Sequence, residues 1–386
     1  MRIAYWTGYS PVFEPHTVVT EDWKLPGGGW GSESSLAKMA VELVRRGHHV
    51  EIFNWRTRPL PTNFNALDFD VVVVQRYLHY WLYEEWESVP TVYWTHDVRP
   101  LVGYENSEIY DNGKQTYANI VKSGMCDKTV TLTPSHTYGM LQHYNIPHNH
   151  FTEIGHGLEA PKIDISGIEK VKNRMVWISG WNRGLCSALE VINKIDPEKH
   201  GKISFHIYGY QSEYEGQEYA PYPGRTFHFF DWRNPSLRQL VDESPHDIEL
   251  FGYVSDEEIE KAWAECDILL YPTDFVETYC ICALEAQRAG CFVIASELGS
   301  MPHTVGDRGV LIPKRGAEGV DMTDDEYTTV VARTLGTYMD NPELTIPYRE
   351  AGKAWADEQT VKNKADEWEA LLKSVVKDDS RPPFKI

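Results

Sequence analysis

Glu277 and Glu285 are the residues whose type and spacing most directly suggest chemistry. They stand with seven residues between them inside YPTDFVETYCICALEAQRAGCFVIAS, residues 271–296. An apolar strand, Ile268 to Tyr271, stops at Pro272, and the pattern predicts a helix from about Thr278. With Glu277 in the loop and Glu285 two turns along the helix, the two are separated by roughly 12 Å of axial rise at about 1.5 Å per residue. That span suits a sugar hydroxyl at one end and a ribose at the other. Between the acids, the backbone N–H groups of Thr278, Tyr279 and Cys280 fall at the predicted helix N-terminus, where unpaired donors and the helix dipole favour a diphosphate. Carboxylates for hydroxyls and amides for phosphate is a division of labour that a sugar nucleotide satisfies. Taken without context, the same pair reads as a helix-terminal charge and a solvated side chain.

The elements around this segment supply the context. At 386 residues the chain is longer than one hydrophobic core normally supports, so two domains are expected. In the first half, β-rich runs alternate with helical patterns, the mark of a parallel sheet with crossover helices. The expected strands are Arg2 to Trp6, His49 to Asn54, Asp70 to Gln75, Thr91 to His96 and Thr129 to Pro134. Leu36, Met39, Ala40, Leu43 and Val44 recur at helical spacing from Gly31 to Arg46, and Gly47 is a stop signal. After a polar stretch, Ala160 to Lys172, the alternation restarts with strands at Met175 to Ser179, Ser204 to Tyr208, Ile248 to Phe251, Ile268 to Tyr271, Phe292 to Ala295 and Gly309 to Ile312. Ser255 and Glu258 form a capping box opening a helix Asp256 to Ala264. The expected fold is α/β, with two facing Rossmann-like doubly wound domains, 1–158 and 159–346. A helical tail, 347–386, is expected to pack back toward the N-terminal domain. Open α/β sheets bind ligands at the carboxyl ends of their strands, so the site is sought in an interdomain cleft.

The paired-glutamate segment resembles the signature of retaining glycosyltransferases of the GT-B fold, the large family 4 that includes many mannosyl- and glucosyltransferases. FGYVSDEEIEKAWAECDILLYPT, residues 251–273, resembles the family's run before the signature, and GCFVIASELGSMPHTVGDRGVLI the run after it. The resemblance implies roles elsewhere. GGGWGSESSLAKMA, residues 27–40, is similar to the N-domain glycine loop that closes over the donor diphosphate, with Gly28 and Gly29 at the phosphates. A dinucleotide fingerprint does not fit, because these glycines start twenty residues after Trp6 and Ser32 and Ser34 occupy the required third positions. THDVR, residues 95–99, contains His96, which resembles the histidine that approaches the donor sugar, with Asp97 placed to orient its ring. SGWNRGL, residues 179–185, resembles the family's phosphate clamp and makes Arg183 the counter-charge to the diphosphate. The clamp's first basic residue is replaced by Trp181, with Lys314 a candidate substitute. Backbone groups around Tyr253 and Val254 are expected to read the nucleobase.

Composition narrows the partners. A formal charge of −20 opposes nucleic acid and anionic membranes. No stretch has the length of apolar residues that a membrane span needs, and MRIAYWTGY reads as a first strand and not a signal peptide, so a cytoplasmic location is expected. Six cysteines without paired CxxC spacing read as buried thiols. Arg45 and Arg46 read as helix-end charges. Asp68-Phe69-Asp70 spells a DxD metal motif, yet it sits where an Asp commonly opens a strand, and neither metal nor cofactor is expected. Tyr77, His79, Tyr80, Trp81, Tyr83 and Trp86 form an aromatic run that fits core packing better than a saccharide platform.

The resemblance implies transfer of a hexose from a nucleotide-diphosphate sugar, GDP-mannose before a UDP-sugar, to a saccharide-type acceptor with retention of configuration. Catalytic roles fall to His96 and Glu277. The donor residues are Gly28, Gly29, Arg183, Tyr253, Val254, Glu277, Thr278, Tyr279, Cys280 and Glu285. No carboxylate suited to a covalent intermediate is evident, which favours same-face attack with Glu277 positioning the sugar. A sugar-nucleotide epimerase or hydrolase of the same architecture, or a non-catalytic sugar-nucleotide or carbohydrate-binding protein, stays open at this point. The chain is expected to act as a monomer or a simple homo-oligomer.

Overall fold

The computed structural model describes residues 1–8, 10, 12–25, 31–54, 64–82, 89–101, 109–209, 235–252, 254–314 and 322–377. The chain divides into two units, Met1–Glu159 with Gln359–Ile386, and Ala160–Glu358. In chain order the first unit holds β1 (Arg2–Thr7), β2 (His16–Val18), α1 (Gly31–Arg45), β3 (His49–Asn54), β4 (Val71–Gln75), β5 (Thr91–Trp94), α2 (Ile109–Lys122), β6 (Lys128–Thr131), α3 (Pro134–Tyr144) and β7 (Phe151–Glu153). Its sheet runs β2-β3-β1-β4-β5-β6-β7. All pairings are parallel except β2 with β3. β4, VVVVQ, is buried along its whole length, as expected of a central strand covered on both faces, where β-branched side chains pack well.

The second unit holds β8 (Arg174–Trp177), α4 (Leu185–Asn193), α5 (Pro197–His200), β9 (Ser204–Ile207), α6 (Pro235–Asp242), β10 (Asp247–Leu250), α7 (Asp256–Glu265), β11 (Ile268–Tyr271), α8 (Ile281–Arg288), β12 (Phe292–Glu297), α9 (Met301–Thr304), β13 (Val310–Pro313), α10 (Asp324–Asp340) and α11 (Ile346–Glu358). Its sheet is parallel throughout, in the order β10-β9-β8-β11-β12-β13. The strand order reverses between β8 and β11, so the chain leaves their carboxyl ends in opposite directions and opens a crevice there. Ser255 and Glu258 form the capping box of α7, as the sequence pattern predicts.

The segment 347–386 does not behave as one tail. α11 stays with the second unit, where Gly352 meets the Gln287 side chain of α8. The last helix, α12 (Val361–Val376), belongs to the first unit. Leu158 and Thr360 form a β-bridge, and a Cβ on Gly157 would lie 2.5 Å from the Val361 nitrogen, so only glycine lets the two backbones approach. Arg46 binds Asp366 at 2.6 Å, Glu369 at 3.2 Å and Glu42 at 3.1 Å, which makes it a tether for α12 and not a simple helix-end charge. Trp368, fully buried, meets Trp94 edge-on at 4.8 Å. Trp368→Ala is expected to lower the stability of the first unit by about 3–5 kcal/mol, read by chemical denaturation.

Candidate functional site

The second unit places its chemistry at the β8–β11 switch point. After β8 the chain turns through Trp181–Arg183 to Gly184, whose φ is 109°. A Cβ on Gly184 would lie 2.9 Å from the Thr273 Cα, so both its backbone angle and its contact with the loop after β11 require glycine. That approach sets Arg183 over the loop. Its guanidinium stacks 3.4 Å from the Phe275 ring centre, and Nη1 lies 3.3 Å from Glu277 Oε2. The other carboxylate oxygen of Glu277 accepts the Tyr271 hydroxyl at 2.8 Å. Ser179 Oγ lies 3.0 Å from the same hydroxyl. A phenol has one proton and here gives it to the carboxylate, so Ser179 donates to Tyr271. Gly299, at φ 59°, lets the next loop approach, and the Ser300 N–H donates to the Glu277 carbonyl at 2.9 Å.

Burial pushes the Glu277 carboxyl above the ordinary carboxylate value, against the opposing pull of the Arg183 charge and the hydrogen bonds from Tyr271 and Arg183. Its side chain is 12% exposed, against 32% for Arg183. The carboxylate is held by the protein, while the cation keeps an open edge.

The expected start of the helix near Thr278 is corrected by the structure. α8 begins at Ile281, because Cys280 takes φ 67° and cannot be a helical residue. The Tyr279 carbonyl accepts the Thr304 hydroxyl, and the Cys280 carbonyl accepts the Ala283 N–H at 3.2 Å. The first-turn amides therefore belong to Ile281 and the residues after it. Glu285 lies about one turn into α8, not two, and its Oε2 accepts the Trp263 indole N–H of α7 at 3.2 Å. Glu277, Arg183, Tyr271 and Ser179 are thus brought together, with Glu285 anchored separately in the same unit. Val254 lies just before the Ser255 cap and is half-buried, and Tyr253 lies outside the described residues. Lys314 holds its ammonium 4.8 Å over the Tyr327 ring.

In the first unit His96 lies two residues beyond β5. Gln75, at the end of β4, gives side-chain N–H bonds to the Ser32 carbonyl at 2.8 Å and to His96 Nε2 at 3.1 Å. An amide nitrogen only donates, so Nε2 accepts. Burial, then the neighbouring His156 and Arg76, hold the His96 pKa well below the usual value, and the ring is neutral. Asp97 does not orient it, contrary to expectation, because the Arg76 fork takes both its oxygens at 2.7 and 3.1 Å. The glycine loop with Gly28 and Gly29 lies outside the described residues. Tyr77, Tyr80 and Trp81 are core residues. Tyr83 and Trp86 also lie outside the described residues. Asp70 accepts the Arg2 N–H at 2.7 Å, the strand-opening role.

Several site residues escaped the sequence reading. Tyr271 was visible only as a strand end, Ser179 as a strand end that opens the clamp segment, Phe275 as a loop residue, and Trp263 as part of an amphipathic helix. The one available signal was the strict period of β11, which fixes where its last side chain points.

The architecture, two parallel α/β units, is that of GT-B glycosyltransferases. Across nearly the whole chain it is similar to sucrose-phosphate synthase from Thermosynechococcus elongatus, with a TM-score of 0.69, 13% identity and 97% and 99% of the two chains covered. It is also similar to Anabaena HepE in complex with UDP-glucose, with a TM-score of 0.63, 14% identity and coverage of 97% and 100%. Residues 172–321, which contain Arg183, Glu277 and Glu285, match the family model for group 1 glycosyl transferases. A 91-residue stretch is 31% identical to the O-antigen chain mannosyltransferase B of Escherichia coli, covering 23% of this chain and 24% of that protein. The alignment spans about a quarter of that relative. None of the described helices is long and apolar enough to cross a membrane.

The raised Glu277 pKa has a measurable signature. A carboxyl raised in the folded state contributes stability that is complete below its unfolded pKa and is lost as pH rises through the folded one. Stability measured against Glu277→Gln across pH should therefore fall for the wild type over that interval and be flat on either side. A rising difference would contradict the assignment.

Proposed function

We propose that this chain is a glycosyltransferase that moves a hexose from a nucleotide-diphosphate sugar to a saccharide-type acceptor, with retention of configuration and without a metal ion. The observation that supports it best is the Arg183–Glu277 pair at the carboxyl ends of β8 and β11, inside the group 1 match. A partly exposed cation beside a largely buried acid offers a phosphate and a sugar hydroxyl adjacent partners. Arg183 stabilises the leaving diphosphate through charge-assisted hydrogen bonds, which takes over what a divalent cation does elsewhere. Glu277, fixed by Tyr271, orients the hexose for attack on the face that the diphosphate leaves. Glu285 holds the ribose. The neutral His96 serves as a hydrogen-bonding partner of the donor sugar and not as a cation.

The donor series is the finer part of the proposal. The partial likeness to a mannosyltransferase favours GDP-mannose, while the HepE complex with UDP-glucose keeps UDP-sugars in view. A location in the cytoplasm, a saccharide-type acceptor and a monomer or simple homo-oligomer complete the reading.

The test is a thermal-shift screen of GDP, UDP, ADP and their sugar conjugates, with and without EDTA, on wild type and Glu285→Ala. A ligand at a hundred times its Kd adds about 2.7 kcal/mol of stability. The expected result is a raised Tm with one nucleotide series, indifferent to EDTA and lost in the variant. Incubation of that donor with acceptor sugars should then yield a new glycosidic linkage. An isomerised donor would indicate an epimerase and free sugar a hydrolase. No shift with any nucleotide would overturn the proposal.

A further inference from the structure

Glu277 and Arg183 form a balanced pair at the head of the second sheet. Arg183 Nη1 lies 3.3 Å from Glu277 Oε2, and the face of its guanidinium is taken by Phe275. Among the described residues, the other ionisable groups that act on Glu277 from neighbouring elements are few. Tyr271 of β11 donates to its second oxygen at 2.8 Å. The thiols of Cys280 and Cys282, at the start of α8, are kept neutral by burial. The Gly299–Ser300 loop contributes an amide donor to the backbone carbonyl and no charge. Among the described residues, one positive charge thus answers one negative charge, in a place largely closed to water.

A diphosphate at Arg183 brings further negative charge to a cation that already has a carboxylate partner. Whether the guanidinium turns to the phosphate or bridges both, the carboxylate loses part of its counter-charge and gains a like-charged neighbour. Like charges that close do not both stay ionised in a poorly solvated site, and the group nearest neutrality takes a proton. Phosphodiester oxygens are too weakly basic to do so near neutral pH. We propose that a nucleoside-diphosphate sugar binds at Arg183 together with one proton, taken by Glu277, so that this residue meets the hexose as a neutral carboxyl. The inference rests on the donor-site reading above and adds its regulation by pH.

The balance is simple: the carboxylate gains one proton from solvent, and no other bond forms or breaks. A neutral carboxyl both donates and accepts, so it can hold a sugar hydroxyl without repelling the adjacent phosphate. Burial already favours this form, and the hydrogen bond from Tyr271 opposes it. The sign follows from linkage. The Glu277 pKa is higher in the complex than in the free protein. Affinity is therefore greatest at low pH, falls by up to tenfold per pH unit between the two values, and levels off above them.

Calorimetric titration of the full chain with UDP-glucose and with GDP-mannose, in paired buffers of different ionisation enthalpy from pH 5.5 to 8, measures the protons taken up. These ligands have no titrating phosphate in that range. The wild type should take up as much as one proton per ligand at some pH in the series, with weakening affinity above it. Glu277→Gln should bind without proton uptake. Tyr271→Phe, which removes a donor to the ionised form, should move the uptake to higher pH. Buffer-independent heats in the wild type, or undiminished uptake in Glu277→Gln, would overturn the proposal and leave the donor site standing. If Glu277→Gln does not bind, Tyr271→Phe decides: an unmoved uptake profile overturns the proposal. Absence of binding by either sugar nucleotide would sink the donor-site reading itself, and this inference with it.

Discussion

The second unit depends on one constraint: a carboxylate must be kept ionised enough to pair and yet largely out of water. Glu277 meets it through three contacts from three different segments, the Arg183 guanidinium, the Tyr271 hydroxyl and the Ser300 amide to its backbone. Two of these contacts, those of Arg183 and Ser300, come with a close backbone approach that has its glycine. Gly184 lets the Arg183 turn touch the loop after β11, and Gly299 lets the loop after β12 touch Glu277. An unpaired buried carboxylate is costly, so the polar network and the packing beneath it are interdependent. Tyr271 links the two, since its ring stacks on Trp177 within the core while its hydroxyl serves the site.

The first unit solves a different problem with neutral groups. Gln75 ends β4 and spends its side-chain amide on α1 and on His96, so the histidine is placed by a residue that cannot change charge. Arg76, in a left-handed conformation at φ 68°, takes Asp97 away from the ring. α12 then closes the unit by burying Trp368 against Trp94, whose ring centre lies 4.6 Å from that of His96.

Much of the architecture was legible because periodicity reports burial. The Val71–Gln75 run, the Ser255–Glu258 cap and the α1 pattern all carry their signals within one window, and the structure places those elements within a residue or two of expectation. β2 and β7 were not legible, since three residues are too few to show a period and their pairing is decided by neighbours far along the chain. The start of α8 was misplaced for a local reason: Cys280 adopts the left-handed conformation that glycine usually signals, and a cysteine gives no such warning. Glu277 and Glu285 were singled out by type and spacing, Arg183 and His96 by the family resemblance. That Arg183 and Glu277 pair with each other was not legible, because the sequence assigned them to different parts of a ligand. Contacts such as Gln75 to His96 and Trp263 to Glu285 are tertiary, and no spacing rule encodes them.

The central claim is that the Arg183–Glu277 pair is the centre of a sugar-nucleotide site. The most direct measurement is a crystal structure of the chain with UDP-glucose or GDP-mannose bound. The account predicts a diphosphate oxygen within hydrogen-bond distance of the Arg183 guanidinium and a hexose hydroxyl on Glu277. A sugar nucleotide bound elsewhere, with the ion pair intact and untouched by ligand, would contradict it.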